Sequence, residues 1–103
     1  GPENVINGYT YSKAINVKAT AYTPYDAGCT GVTATGMKAG RGVVAVDPKV
    51  IPLGSKVYVP GYGVAIAADT GGAIKGGRLD VCVDSVSEAY SWGVRNVTVY
   101  VLE

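Results

Sequence analysis

Glycine divides this sequence into short segments and so limits the folds that are open to it. The chain has 15 glycines in 103 residues, and the apolar runs between them are only a few residues long. Glycine favours tight turns because it adopts backbone angles that other residues avoid. Segments this short suit β-strands better than helices. The sequence therefore predicts a mainly β domain built from short strands.

Residues 15–23 carry the clearest strand pattern, because apolar and polar residues alternate there. Further short apolar runs predict strands over residues 42–46, 55–59, 64–68, 78–83 and 96–102. One short helix is expected after Ser85, which forms a capping-box pattern with Glu88, and it is expected to end at Gly93. About six strands in so short a chain favour a small barrel, since closure removes exposed sheet edges.

One domain accounts for the chain, because 103 residues support a single modest core. We expect this domain to span residues 15–103. Residues 1–14 are expected to be a lead-in, since they are polar and lack periodicity, and Gly1-Pro2 is typical of a cloning remnant. No signal peptide is recognisable, so an export signal is expected outside this fragment.

Charge and hydropathy exclude two classes of partner. The formal net charge is only +1, which gives no electrostatic reason to bind nucleic acid or an anionic membrane. No apolar run approaches the roughly 20 residues that a membrane span requires.

The absence of histidine restricts the chemistry that the chain could perform near neutral pH. Acid–base steps would have to use carboxylates, lysine, tyrosine or a thiol. Asp47, Asp69 and Asp80 each lie beside an apolar strand, where an unpaired carboxylate is costly. A single aspartate in such a place usually accepts backbone N–H bonds at a turn. Three of them around one glycine-rich loop favour a functional site instead.

The glycine-rich loop lies within the segment ADTGGAIKGGRLDV, between two of these aspartates. Gly71 and Gly72 would let a ligand approach the backbone closely. A phosphate-binding loop is disfavoured, because no helical pattern follows and the characteristic Lys-Ser/Thr pair is missing.

Two cations and two aromatic residues could contribute to binding at such a site. Lys75 and Arg78 could hold a substrate carboxylate or offset the charge of the aspartates, and for Arg78 the second role is slightly favoured. Tyr22 and Trp92 could stack on sugar faces, although a lone tryptophan after a short helix is more often a core anchor.

No metal site, cofactor or thiol nucleophile is expected. The chain lacks histidine, and its two cysteines are too far apart in sequence for a metal-ligand motif. A cysteine nucleophile would also lack a histidine base. Cys29 and Cys82 could form one disulfide or remain two buried thiols, and the sequence favours neither.

The segments around the three aspartates resemble the three-aspartate (3D) domain of bacterial cell-wall proteins, which include spore and stationary-phase proteins of Gram-positive bacteria. The likeness rests on VAVDP with Asp47, ADTGGAIKG with Asp69 and RLDV with Asp80. The segments TAYTPYDAGCTGVTATG, VIPLGSKVYVPGYG and SEAYSWGVRNVTVYVL are similar as well. The resemblance therefore covers nearly the whole chain, from about Lys18 to Leu102.

The resemblance implies a fold and a reaction. The fold is a double-psi β-barrel, similar to the catalytic domain of membrane-bound lytic transglycosylase A. The reaction is cleavage of the β-1,4 bond between N-acetylmuramic acid and N-acetylglucosamine in peptidoglycan, with a 1,6-anhydro sugar as product. A single carboxyl group suffices, because it can protonate the leaving oxygen and then accept the proton of the C6 hydroxyl.

The resemblance also implies roles for the aspartates. Asp80 matches the family's catalytic acid, and Asp69 would orient it or stabilise the transition state. The residues expected to support the site or line a sugar groove are Asp47, Thr35, Gly36, Gly71, Gly72, Lys75 and Tyr22.

A function of another class stays open, namely a non-catalytic glycan-binding or wall-loosening module like that of expansins. Related barrels host several activities, so the same aspartates can serve there without bond cleavage. With either function the expected partner is the peptidoglycan glycan strand and the expected location is the cell wall, outside the cell. A monomer or a strand-swapped dimer is expected.

Overall fold

In the computed structural model, which describes residues 4–24, 31–71 and 74–103, the alternating segments of the sequence form strands. The elements are β1 (Val5–Ile6), β2 (Tyr9–Tyr22), β3 (Val43–Ala45), β4 (Lys56–Val59), β5 (Gly63–Asp69), β6 (Arg78–Cys82), α1 (Val86–Trp92) and β7 (Arg95–Leu102).

Six of these strands close into a barrel in the order β2, β6, β3, β5, β4 and β7, and β7 pairs back with β2. The pairs β2–β6 and β3–β5 are parallel, and the other four pairs are antiparallel. Closure removes the open edges that a sheet of this length would otherwise expose. This arrangement confirms the predicted mainly β fold, a small double-psi barrel of about six strands with one short helix.

The barrel interior is filled by apolar side chains from all six strands. Leu79, Val81, Val57 and Val99 are fully buried within this core. Because successive side chains on a strand point to opposite faces, the residues between them lie on the outside of the barrel.

A second apolar cluster covers part of the outside of the barrel, over β2, β6, β3 and β5. Its buried members are Tyr22, Ala39, Val43, Ala45, Ala68, Ile74 and Cys82. We call this group the outer cluster. Two of its members, Ala39 and Ile74, lie outside the strands and pack against them.

The helix has the limits that its sequence predicted. The Ser85 hydroxyl accepts a hydrogen bond from the Glu88 N–H at 3.2 Å, and Gly93, at a φ of 65°, ends the helix. Trp92 is buried and donates its indole N–H to the Ala19 carbonyl at 3.2 Å, so it is the core anchor and not a sugar-stacking surface. No helix within the described ranges is long and apolar enough to cross a membrane.

The N-terminal segment forms more regular structure than its sequence pattern predicts. The strand predicted from residue 15 begins at Tyr9, and it is preceded by β1, which was missed. Asn7 and Gly8 join the two strands with φ angles of 48° and 83°. Two successive positive φ angles form the tight hairpin turn that an Asn-Gly pair favours. The boundary placed between residues 14 and 15 therefore falls inside β2.

Candidate functional site

The pairing of three strands places Asp69 and Asp80 on either side of one residue, Ala45. Asp80 on β6 pairs with Ala45 on β3 in an antiparallel ladder, and Asp69 on β5 pairs with the same residue in a parallel ladder. A register shift between Val44 and Ala45 brings Asp69 into this row, as a β-bulge can do. Since neighbouring strands lie about 4.8 Å apart, the two aspartate Cα atoms are separated by about 10 Å.

Asp80 lies on the outside of the barrel, because its neighbours Leu79 and Val81 point into the core. Its partner in the parallel ladder is Thr20 of β2, and the Thr20 hydroxyl donates a hydrogen bond to Asp80 Oδ1 at 3.0 Å. The aspartate is half-buried. Thr20 was not among the predicted site residues, because nothing local in the sequence indicates that β2 and β6 are parallel neighbours.

Asp69 is held by donors at both of its carboxylate oxygens. The Tyr22 hydroxyl donates to Oδ2 at 3.3 Å. The backbone N–H groups of Ala34 and Thr70 donate to Oδ1 at 3.0 Å and 2.9 Å. Asp69 thus joins β5 to β2 and to the loop that contains Ala34, and its carboxylate is fixed in position.

Tyr22 supports Asp69 from inside the outer cluster. Only 9 % of its surface is exposed, so its ring offers no face on which a sugar could stack. Burial raises the pKa of the Tyr22 phenol well above its usual range, and the nearby Cys82 and Asp69 raise it further. The phenol therefore stays protonated and remains a hydrogen-bond donor.

The predicted Thr35 and Gly36 lie in a turn that is attached to the end of β5. The Thr35 N–H donates to the Ala68 carbonyl at 3.1 Å, and the Gly36 N–H donates to the Thr33 carbonyl at 2.9 Å. Gly36 has a φ of 88°, which favours glycine at this position. Both predicted residues are exposed next to Asp69.

Asp47 accepts hydrogen bonds at the other end of the β5–β6 connection. Its Oδ2 accepts the Gly76 N–H at 2.8 Å and its Oδ1 accepts the Lys49 N–H at 3.0 Å. These two bonds, that of Gly76 first, hold the pKa of the Asp47 carboxyl below its usual value. The charges of Lys75 and Lys49 add to the effect, and burial opposes it. Asp47 therefore ties the end of β3 to the glycine-rich loop, and Lys75 is exposed beside it.

Gly71 is needed for close packing within the glycine-rich loop. A Cβ atom at this position would lie 2.9 Å from Cγ1 of Ile74, a member of the outer cluster. Gly72 lies outside the described residues, and so does Cys29, for which the sequence left open a disulfide with Cys82 or a free thiol. The Cys82 side chain is buried in the outer cluster.

Two further features bear on the chemistry of the site. Within the described ranges, no group of three or more histidine, cysteine, aspartate or glutamate residues is placed to hold a metal ion. Arg78 is exposed, and among the described residues it makes no ion pair with Asp69 or Asp80. The charge-offsetting role predicted for Arg78 is therefore not met by an ion pair with either aspartate.

Comparison with known proteins assigns the family. The 3D domain model matches residues 42–103. A curated relative, the cell wall-binding protein YocH of Bacillus subtilis, is 59 % identical over 100 residues, which cover 93 % of this chain and 35 % of that protein. The chain thus spans about a third of the length of this relative.

Two solved structures are similar to the barrel. MltA of Escherichia coli, whose fold is described as a lytic transglycosylase fold, matches with a TM-score of 0.56 and 26 % identity, over 76 % of this chain and 29 % of that one. The lytic transglycosylase LtgG of Burkholderia pseudomallei matches with a TM-score of 0.55 and 26 % identity, over 69 % and 26 %. On the match of the 3D domain model over residues 42–103 and the identity with YocH, the chain belongs to the 3D domain family.

Proposed function

We propose that this domain binds peptidoglycan and acts as a lytic transglycosylase, with Asp80 as the single general acid and base. The observation that carries the proposal is the row formed by Thr20, Asp80, Ala45 and Asp69 across four neighbouring strands. Both aspartates are half-buried, with Thr20 donating to Asp80 and with Tyr22 and two backbone N–H groups donating to Asp69. We assign proton transfer to Asp80 because it matches the family's catalytic acid, and we assign the supporting role to Asp69.

The proposed reaction needs no second nucleophile. The protonated Asp80 carboxyl gives its proton to the glycosidic oxygen, and the bond from that oxygen to C1 of the muramoyl residue breaks. The C6 hydroxyl of the same residue then forms a bond to C1, and its proton returns to Asp80. The products are a 1,6-anhydromuramoyl end and a free C4 hydroxyl on the released N-acetylglucosamine. Asp69 and Thr20 position Asp80 and the sugar, and they donate no proton to the leaving group.

The resemblance to lytic transglycosylases supports the reaction, and the name of YocH supports the substrate and the location. MltA and LtgG share the barrel, and YocH is described as binding the cell wall. We therefore place this domain outside the cell, at the cell wall, with the glycan strand as its partner.

The decisive test is digestion of purified sacculi followed by mass spectrometry of the soluble products. Anhydromuropeptides are expected with the wild type. Asp80→Asn should lower their rate of formation by about 100-fold or more, because general acid catalysis is lost. Glu103→Gln, which removes an exposed carboxylate at the chain end, is the matched control and should retain full activity. Equal product from Asp80→Asn and the wild type would refute the role of Asp80.

A second candidate function is non-catalytic binding to the cell wall, and the name of YocH favours it specifically. In that case the wild type would sediment with sacculi and release no anhydromuropeptide. Asp80→Asn would then change only the amount of protein that is bound.

A further inference from the structure

A polar groove lies on β7 and β2, beside Gly77 just before β6, and the proposed reaction makes no use of it. Its volume is about 530 Å³, and its polar lining comes from Asn16, Lys18, Asn96 and Thr98. This volume lies within the range of about 300–1,000 Å³ that is common for small-molecule sites. The Thr98 hydroxyl donates to Asn16 Oδ1 at 2.7 Å, which leaves the Asn16 amide nitrogen to donate to a ligand.

Lys18, which lines this groove, has a second cation beside it. Lys18 on β2 pairs with Arg78 on β6 in the parallel ladder, and both side chains are exposed on the outside of the barrel. Like charges directly opposite each other on neighbouring strands cost stability. In the part of the chain that the structure describes, neither cation has a carboxylate within ion-pair distance. This arrangement suits an anionic ligand that would neutralise both.

The cation pair is adjacent to the proposed catalytic carboxyl. Thr20 and Asp80 form the next pair of the same ladder on the same face, two residues along each strand from Lys18 and Arg78. Two residues of a strand span about 6.7 Å. In peptidoglycan the peptide stem is attached to the lactyl group of the muramoyl residue, the same residue whose bond would be cleaved at Asp80. A carboxylate of that stem can therefore reach the cations while the sugar stays at Asp80.

We propose that Lys18 and Arg78 bind a carboxylate of the peptide stem carried by the muramoyl residue at Asp80. Arginine suits this role because its planar guanidinium can donate two parallel hydrogen bonds to one carboxylate. Asn16, Asn96 and Thr98 then face the amide groups of the stem, with which amide and hydroxyl side chains can exchange hydrogen bonds. This inference rests on the proposed function, because it takes the muramoyl residue at Asp80 as given.

A wall polymer rich in phosphate is the other anion available outside the cell, and the groove suits it less well. Amide and hydroxyl side chains form most of the polar lining, and Lys18 is the only cation among the residues that line it in the described structure. A polyphosphate strand is bound chiefly by repeated cationic contacts, and the formal net charge of this chain is only +1.

The test compares the binding of two preparations of glycan strands, both freed of phosphate-containing polymers. One retains its peptide stems, and the other has lost them by amidase treatment. Wild-type protein is expected to bind the stem-bearing strands about three- to tenfold more tightly at low salt, because two exposed ion pairs are gained. The preference should fall sharply in 1 M salt, where charges are screened beyond about 3 Å.

The double variant Lys18→Gln with Arg78→Gln should lose this preference and still bind stem-free strands as the wild type does. Lys13→Gln with Lys56→Gln removes two exposed strand lysines elsewhere and should keep the preference. Two outcomes overturn this inference and leave the proposed function standing. In the first, the double variant prefers stem-bearing strands as strongly as the wild type does. In the second, the wild type shows this preference only when phosphate polymers are left on the wall. If the wild type binds neither preparation and cleaves neither, the proposed function fails as well.

Discussion

The hydroxyl of Tyr22 donates a hydrogen bond to Asp69 across 3.3 Å, although the two residues are 47 positions apart in the chain. The contact joins β2 to β5 over the outer cluster, where burial keeps the phenol protonated. Together with two backbone N–H groups, it holds Asp69 in the row that also contains Asp80. These three hydrogen bonds therefore set the position of the Asp69 carboxylate in the proposed site.

Removing this hydroxyl should weaken both the fold and the site. Tyr22→Phe keeps the ring packing and takes one donor from the Asp69 carboxylate. We expect a loss of about 1.5–3 kcal/mol in the free energy of unfolding, the range for a hydrogen bond to a charged group. The digestion rate should fall several-fold. Urea denaturation and sacculus digestion measure the two effects. Tyr90→Phe is the control, since Tyr90 is 82 % exposed, and equal behaviour of the two variants would contradict the prediction.

The contribution of Asp47 to stability should depend on pH. The pKa of its carboxyl is lower in the folded protein than its ordinary value of 3.8. A group with a depressed folded pKa stabilises the protein above its unfolded pKa, and this stabilisation is lost as the pH falls through the folded pKa. Asp47→Asn should therefore lower the Tm at pH 5–7 by an amount that shrinks below about pH 4.

Thermal unfolding followed by circular dichroism from pH 2 to pH 7 tests this dependence on Asp47. Glu103→Gln, which removes one exposed carboxylate, serves as the control for the change in net charge. A Tm difference between the wild type and Asp47→Asn that stays constant down to pH 2 would count against the role of the Gly76 and Lys49 hydrogen bonds.

Thr20 is expected to position Asp80 for proton transfer. Thr20→Val preserves the shape of the side chain and removes the hydroxyl that donates to Asp80 Oδ1. The digestion rate should fall by about tenfold, which is less than the loss of about 100-fold or more expected when the acid itself is removed. Thr20→Ser keeps the donor and should restore most of the activity. If the valine and serine variants are equally slow, the hydroxyl is not the feature that matters.

The fluorescence of Trp92 should respond to unfolding of the core and not to ligand binding. It is the only tryptophan in the chain, it is 7 % exposed, and the Arg95 guanidinium covers its ring at 4.0 Å. Its fluorescence emission should therefore be blue-shifted in the folded protein and should not move when glycan strands are added. A shift of the emission maximum on glycan binding would place Trp92 in the binding surface and contradict this assignment.

Local signals in the sequence are sufficient to predict several of the secondary-structure elements. The helix limits follow from Ser85, Glu88 and Gly93, because capping depends on contacts within one turn. The strands follow from alternation, which is also read over a few residues. The N-terminal hairpin has an equally local signal in Asn7-Gly8, although the polar residues around this pair favour a lead-in.

The sequence alone determined which residues were candidates, and the tertiary structure decided how they meet. Glycine content, alternation and the motifs around the three aspartates indicated a small β-barrel and named Asp80, Asp69 and Asp47. The contact of Thr20 with Asp80 and the pairing of Lys18 with Arg78 both depend on the parallel register of β2 and β6. The alignment of Asp69 with Asp80 depends on a bulge beside Ala45. Register and bulges are set by the packing of all six strands around one core, and no local stretch of sequence contains that information.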